Sequence, residues 1–210
     1  MTIRVSAFVD GFNLYHAIAD TGRHDLKWVN LRQLARQFAP EPSYTLGEVF
    51  YFSAYATWKP DAYARHRAFV AALEASAVTC VLGTFKSKPR ACRSCSAKWT
   101  RHEEKETDVN AALHLLEGAL NDRYDLALLV TGDSDLVPAV RMVRQLTSKK
   151  VRIISPINRP NSMELLSAAG QTKPRRLQSS HFEQARLPAA VKNAQGSVVA
   201  LRPAKYNPLP

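Results

Sequence analysis

From Tyr124 to Val130 the chain is almost unbroken apolar residue, and at Thr131 it turns abruptly into Thr131-Gly132-Asp133-Ser134-Asp135. A short run apolar at every position predicts a strand buried on both faces of a parallel sheet. Apolar positions then recur at helical spacing: Val137, Val140, Met142, Val143 and Leu146. Ser134 or Asp135 is expected to cap that helix, with Pro138 in its first turn. A cap needs only one such side chain, so a second carboxylate is left over. Carboxyl ends of central strands are where open α/β sheets place their ligands.

The same alternation runs through most of the chain. Ile3 to Val9 predicts a first strand, interrupted by Asp10-Gly11-Phe12-Asn13 and followed by Leu14, Tyr15, Ala17 and Ile18 at helical period. Asp10 or Asn13 alone would serve as a helix cap. Asn30 is placed to cap a helix over Leu31 to Phe38, and Glu48 to Tyr55 reads as the second strand. Pro60 to Ala77 predicts a long helix with Tyr63, Phe69, Val70 and Leu73 inward and Arg65, His66 and Arg67 on a solvated face. Val78 to Phe85 is the third strand, with Cys80 as a small core residue.

After a break in pattern, Thr107 is expected to cap a regular helix whose buried stripe is Val109, Ala112, Leu113, Leu116 and Leu120, with His114 as a structural neighbour. Val151 to Ser155 predicts the last long strand. Asn161 with Glu164 resembles a capping box for a helix over Met163 to Ala169. Arg175 to Leu177 reads as one more short strand, and a hairpin over Val191 to Leu201 turns at Gln195-Gly196. The expected fold class is α/β, a three-layer Rossmann-like arrangement with a mostly parallel central sheet. Residues 1–177 form the domain. Residues 178–210 are an extension laid on it or on a neighbouring chain, which leaves a homodimer open.

Composition changes this picture in one respect. Lys and Arg number 29 against 18 Asp and Glu, a formal charge of +11 and a pI near 9.8. Such an excess points to a polyanionic partner, nucleic acid or a membrane surface. No apolar run approaches the roughly 18 residues that a span requires, and the opening Met1-Thr2-Ile3-Arg4-Val5 reads as strand rather than signal peptide. Three cysteines fit no disulfide framework and suit a reducing cytoplasm.

Asp10, Asp108 and the pair Asp133 and Asp135 fall at strand ends or helix starts. A parallel sheet lines all of these up along one edge. Crowded carboxylates repel one another unless a cation or proton intervenes. A hard divalent ion, Mg²⁺ or Mn²⁺, takes oxygen ligands of this type, and such ions serve phosphodiester hydrolysis. An acidic cleft in a basic surface is what a nuclease needs, because the rim holds phosphates while the acids serve the chemistry.

Three segments carry a resemblance: Phe8-Val9-Asp10-Gly11-Phe12-Asn13-Leu14-Tyr15, Glu104-Lys105-Glu106-Thr107-Asp108-Val109, and Leu129-Val130-Thr131-Gly132-Asp133-Ser134-Asp135-Leu136-Val137-Pro138. Together, over residues 3–170, they resemble the NYN domain family, a branch of the PIN-like nucleases that includes the bacterial LabA-like proteins. The resemblance implies a PIN/NYN fold and a metal-dependent RNase acting on single-stranded or structured RNA. Carried over by position, Asp10, Asp108 and Asp133 would be metal ligands and Asn13 the partner of Asp10. Asp135 would complete the catalytic cluster, and Thr131 and Ser134 would support it or bind a phosphate.

Between residues 86 and 105 the chain turns basic. Lys86, Lys88, Arg90, Arg93, Lys98, Arg101 and Lys105 surround Trp99, a composition suited to binding single-stranded RNA, with a solvated loop as the alternative. Within it, Cys92 and Cys95 have the spacing of half a zinc site, with His102 as a candidate third ligand for Zn²⁺. Plain thiols are the alternative. A redox pair is disfavoured because the motif does not open a helix.

Two other functions compete with the nuclease. One is an RNA-binding regulatory module that keeps the fold without turnover. The other is a haloacid-dehalogenase-like phosphatase, which requires an Asp-x-Asp pair after the first strand, where this chain has Asp10-Gly11-Phe12.

Overall fold

The apolar run of Leu126–Val130 is a fully buried strand that feeds two cores at once. Leu126, Leu128 and Val130 face one, and Ala127 and Leu129 face the other, as the two-residue period of a strand requires. The computed structural model describes residues 2–160 and 162–208.

In chain order the elements are β1 (Ile3–Asp10), α1 (Gly11–Asp20), a 3₁₀ turn (His24–Lys27), α2 (Leu31–Arg36) and β2 (Tyr44–Ala54). They continue with α3 (Pro60–Glu74), β3 (Thr79–Ala91), β4 (Lys98–Lys105), α4 (Thr107–Leu120) and β5 (Leu126–Val130). A second 3₁₀ turn (Ser134–Leu136), α5 (Val137–Leu146), β6 (Lys150–Ser155), α6 (Met163–Ala168), β7 (Arg175–Arg176) and α7 (Ser179–Gln184) come next. The short hairpin β8 (Ala190–Lys192) and β9 (Val198–Leu201) and a last 3₁₀ turn (Ala204–Tyr206) follow.

The seven-stranded sheet has the order β4-β3-β2-β1-β5-β6-β7. Every neighbouring pair is parallel except β3 with β4. Residues of α1, α2, α3 and α7 fill the core on one side, and residues of α4, α5 and α6 fill the other. The fold is the expected three-layer α/β arrangement. Order reverses on either side of β1, so the ends of β1 and β5 flank the crevice where such sheets hold ligands.

The basic stretch is not a loop. β3 runs on past the sheet and pairs antiparallel with β4 from Thr84↔Lys105 out to Ala91↔Lys98. A ribbon exposed on both faces needs no apolar alternation, so its pattern was invisible. At its base a side chain on Gly83 would come within 2.5 Å of the Lys105 carbonyl. Glycine there lets β4 swing back across β3.

Helix α4 buries a different face from the expected one. Thr107, Ala111, Leu115, Gly118 and Ala119 are buried, while Val109 (61%), Leu113 (58%) and Leu120 (57%) stand exposed. Small residues let this helix sit close to the sheet, and the contacts of Thr107 fix its rotation. Thr107 is the first residue inside the helix rather than its cap, which is Glu106 in left-handed conformation with φ of 81°.

Other boundaries also moved. Helix α3 stops at Glu74 and α2 at Arg36, with Asn30 capping α2 through the amides of Arg32 and Gln33. Asp133, not Ser134 or Asp135, caps the turn before α5 by accepting from the Asp135 amide. Asn161 lies outside the described residues, and Ser162 caps α6 by accepting from Leu165.

The segment after Leu177 packs on this same chain. Phe182 and Ala185 enter the first core, while Leu187, Val191, Ala200 and Tyr206 cluster with Trp28 and Ala72. The Trp28 indole donates to the Pro188 carbonyl at 2.8 Å. Among the described residues no helix is long and apolar enough to cross a membrane.

Candidate active site

Asp10 ends β1, is 6% exposed and caps α1 by accepting from the Asn13 amide at 2.9 Å. Its other oxygen accepts from the Thr131 hydroxyl at 2.8 Å. Thr131 in turn accepts from the Asp133 amide at 3.1 Å, and Asp133 accepts from the Asp135 amide at 3.0 Å. The Asn13 side-chain oxygen accepts from the Gly132 amide at 3.2 Å. Asp10, Asn13 and Thr131 therefore fasten the start of α1 to the turn after β5, two places 121 residues apart. Asp10 is at once the helix cap and a hydrogen-bonded anchor for the turn that carries Asp133 and Asp135.

Asp108, in the first turn of α4, completes the arrangement. One carboxylate oxygen each from Asp108, Asp133 and Asp135 lies within 4.8 Å of the others. Asp10 stays outside that trio but acts on it electrostatically. Burial, then the charges of Asp10, Asp133, Glu104 and Asp135, push the Asp108 carboxyl up to about 6. Burial also raises Asp10, against the pull of its hydrogen bonds from Asn13 and Thr131. Ser134 is exposed beside them.

Glu104 is a member that sequence reasoning missed. It sits three residues before Thr107 and accepts from both the Thr107 amide, at 3.0 Å, and the Thr107 hydroxyl. The spacing is a visible signal, since a carboxylate three residues ahead of a helix start is a natural amide acceptor. Three oxygen-donor carboxylates brought together in this way suit a hard divalent cation. Among the described residues this is also the one group of three or more His, Cys, Asp or Glu with metal-holding geometry.

Comparison with known proteins gives the family. A profile of the NYN domain matches residues 4–173. This chain belongs to the NYN domain family. The family is of nuclease type, and the matched residues include Asp108, Asp133 and Asp135.

A curated relative, 6-hydroxy-3-succinoylpyridine 3-monooxygenase of Pseudomonas putida, is 30% identical over 113 residues. That alignment takes in 52% of this chain and 35% of the relative, so the chain spans about a third of its length. The crystal structure of a protein of unknown function from Vibrio parahaemolyticus superposes with a TM-score of 0.56 at 19% identity. It covers 89% of this chain and 97% of that one, and shows the fold alone.

The register of the NYN ribbon sorts the basic residues. Opposed residues of an antiparallel pair share a face. Lys86, Lys88 and Arg90 therefore stand with Glu103, Arg101 and Trp99, while Phe85, Ser87 and Ala91 stand with Glu104, His102 and Lys98. Most of the cations lie on the face turned away from Glu104. Lys88, Arg90, Arg101 and Lys105 also share Glu103 as an ion-pair partner, which holds its carboxyl down at about 2. Trp99 is 52% exposed, and Arg93 is exposed in the turn.

Cys92 and Cys95 sit in that turn as free thiols, and amides of Cys95 and Ser94 draw the Cys92 thiol downward. His102 is not their third ligand. It lies four residues inward of Lys98, roughly 13 Å along an extended strand. There it bonds Ser87 at 3.0 Å and stacks on Trp58.

Proposed function

We propose that this chain is a ribonuclease that hydrolyses RNA phosphodiester bonds, with Mg²⁺ or Mn²⁺ held by Asp108, Asp133 and Asp135. The observation that carries the reading is the convergence of these carboxylates, with Asp108 pushed up to about 6 by its neighbours. A site that crowds negative charge to this degree is built around a cation. When bound, a divalent ion offsets charge on the phosphate and eases deprotonation of an attacking water.

The chain's own residues provide the frame. Asp10, Thr131 and Asn13 hold the end of β1 against the turn after β5, so Asp133 and Asp135 keep their placement opposite Asp108. The ribbon supplies cations for the phosphates on either side. Lys98 stands on the face of Glu104, towards the far end of the ribbon, and Lys86, Lys88 and Arg101 stand on the opposite face. The monooxygenase activity in the relative's name belongs to that longer protein and is not carried here. Three free thiols fit work in a reducing cytoplasm.

The test is cleavage of labelled single-stranded RNA and DNA in Mn²⁺, Mg²⁺ and EDTA, beside Asp133→Asn. The wild type should cut RNA with metal only, and Asp133→Asn should be at least about a hundredfold slower, as for loss of a main electrostatic group. Equal cutting by both would place the activity elsewhere. No cutting of any substrate, with RNA binding intact, would favour the regulatory binding module.

A further inference from the structure

On the same sheet edge, across β1 from the acids, lies a cavity of about 480 Å³, within the range of sites that enclose small ligands. Its walls are largely aromatic. Phe12 and Tyr15 come from α1, Trp58 from the loop before α3, and Phe85 from the ribbon. The rings brace one another: Phe85 meets Phe12 at 5.8 Å and Trp58 at 4.6 Å, both edge-on. Trp58 stacks on His102 at 3.7 Å with an interplanar angle of 5°. Behind them the Tyr51 hydroxyl and His66 lie 3.2 Å apart. Burial pushes His66 down to about 4, so it is neutral at pH 7 and offers hydrogen bonds without charge. It is not on the solvated face of α3 expected from its neighbours.

Lys27 breaks the apolar pattern. It is 5% exposed and lines this cavity, with its ammonium 3.6 Å from the centre of the Tyr15 ring. Among the described residues it has neither a hydrogen bond nor an ion pair. Burial pushes its pKa down to about 8. The like charges of Lys205 and Arg65 add to the cost of burial, and the charge of Asp20 offsets only part of it; an entering anion would offset more. Gly11, Phe12 and Glu104 line the cavity while Gly11 follows Asp10 and Glu104 acts on Asp108, so the two hollows share a rim.

We propose that this cavity binds a planar aromatic ring carrying one anionic group, with the ring against Phe12, Trp58 and Phe85 and the anion on Lys27. Two sources have that chemistry. One is a nucleotide of an RNA strand lying across the acids, which rests on the hydrolytic reading above. The other is a free aromatic acid, which does not.

Calorimetric titration in EDTA of the full chain carrying Asp133→Asn separates these, with adenosine and uridine 5′-monophosphates, adenosine, benzoate and an RNA octamer as probes. The anionic aromatic probes should bind, and Lys27→Met should weaken them at least tenfold while raising the melting temperature. Adenosine should bind equally weakly with or without Lys27. Phe85→Leu should weaken nucleotide and adenosine alike. Mononucleotides that compete with the octamer assign the pocket to the strand, and benzoate binding alone assigns it to a free acid. The pocket is overturned if no probe binds, or if neither Lys27→Met nor Phe85→Leu changes any affinity. Binding needs no turnover, so a protein that binds but never cuts refutes the hydrolase and leaves the pocket standing.

Discussion

The acid cleft and the aromatic cavity share the wall formed at Gly11, yet they are built in opposite ways. The cleft gathers like charges from three short motifs and keeps Asp108 at the edge of protonation. The cavity gathers rings from six segments around a buried cation, Lys27, and a histidine kept neutral. By charge, one would favour a cation and the other an anion. A substrate that carries both an aromatic ring and a phosphate can occupy the two together. Both bury charge at a cost that the protein offsets only in part, through the Asn13 amide and Thr131 hydroxyl at Asp10 and through the Tyr15 ring at Lys27.

The largest effect that would sharpen the comparison is on pH dependence. His66 has its folded pKa depressed to about 4 from an ordinary 6.5. Above pH 6.5 it is neutral folded or unfolded and contributes no dependence. As pH falls from 6.5 towards 4, the unfolded chain takes up a proton that the folded chain refuses, and stability is lost. The full shift corresponds to about 3 kcal/mol. Urea melts at pH 7.5 and 4.5 should show a wild-type loss that His66→Gln reduces by about 2.5 kcal/mol, most of the full shift. An unchanged difference in the variant would mean that His66 is not held neutral.

Topology alone made the acids legible. A strand end and a helix start can be read locally, and a parallel sheet then brings Asp10, Asp108 and Asp133 to one edge. The cavity could not be read this way. Tyr51, Phe69 and Phe85 each look like ordinary core residues, Lys27 lies in a polar stretch, and His66 sits between two arginines that do face outward or partly so. The phase of α4 was misread for a related reason. Its larger apolar residues, Val109, Leu113 and Leu120, are exposed, while the face that packs is mostly alanine and glycine. Hydrophobic size pointed one way and close approach to the sheet the other.

Gly11 ties the two hollows and offers the next perturbation. A Cβ there would stand 2.6 Å from the Phe52 carbonyl and 2.6 Å from the Tyr51 ring. Gly11→Ala must push α1 off β2 or displace Tyr51, at about 1–3 kcal/mol as overpacking usually costs. Chemical denaturation should report that loss. Tyr51 is the softer neighbour, so ligand binding in the cavity should suffer more than metal binding at the acids.

A smaller effect is expected on the ribbon. Four of its cations already share Glu103, so Arg101→Ala removes a charge that is partly neutralised. RNA affinity of Asp133→Asn measured against salt should lose about 0.7 or less in log–log slope, the value for one single-strand phosphate contact. Lys98→Ala, whose charge is unshared, should lose more than Arg101→Ala. The reverse order would mean that the strand crosses the other face.

Mn²⁺ binding followed by electron paramagnetic resonance tests the proposed cation at the acid cleft most directly, without reference to turnover. The wild type should bind Mn²⁺, and Asp108→Asn, Asp133→Asn and Asp135→Asn should each weaken it at least about tenfold, as loss of a charged ligand does. Asp61→Asn, on the exposed start of α3, should leave it unchanged. Equal Mn²⁺ affinity in all five proteins would contradict the account.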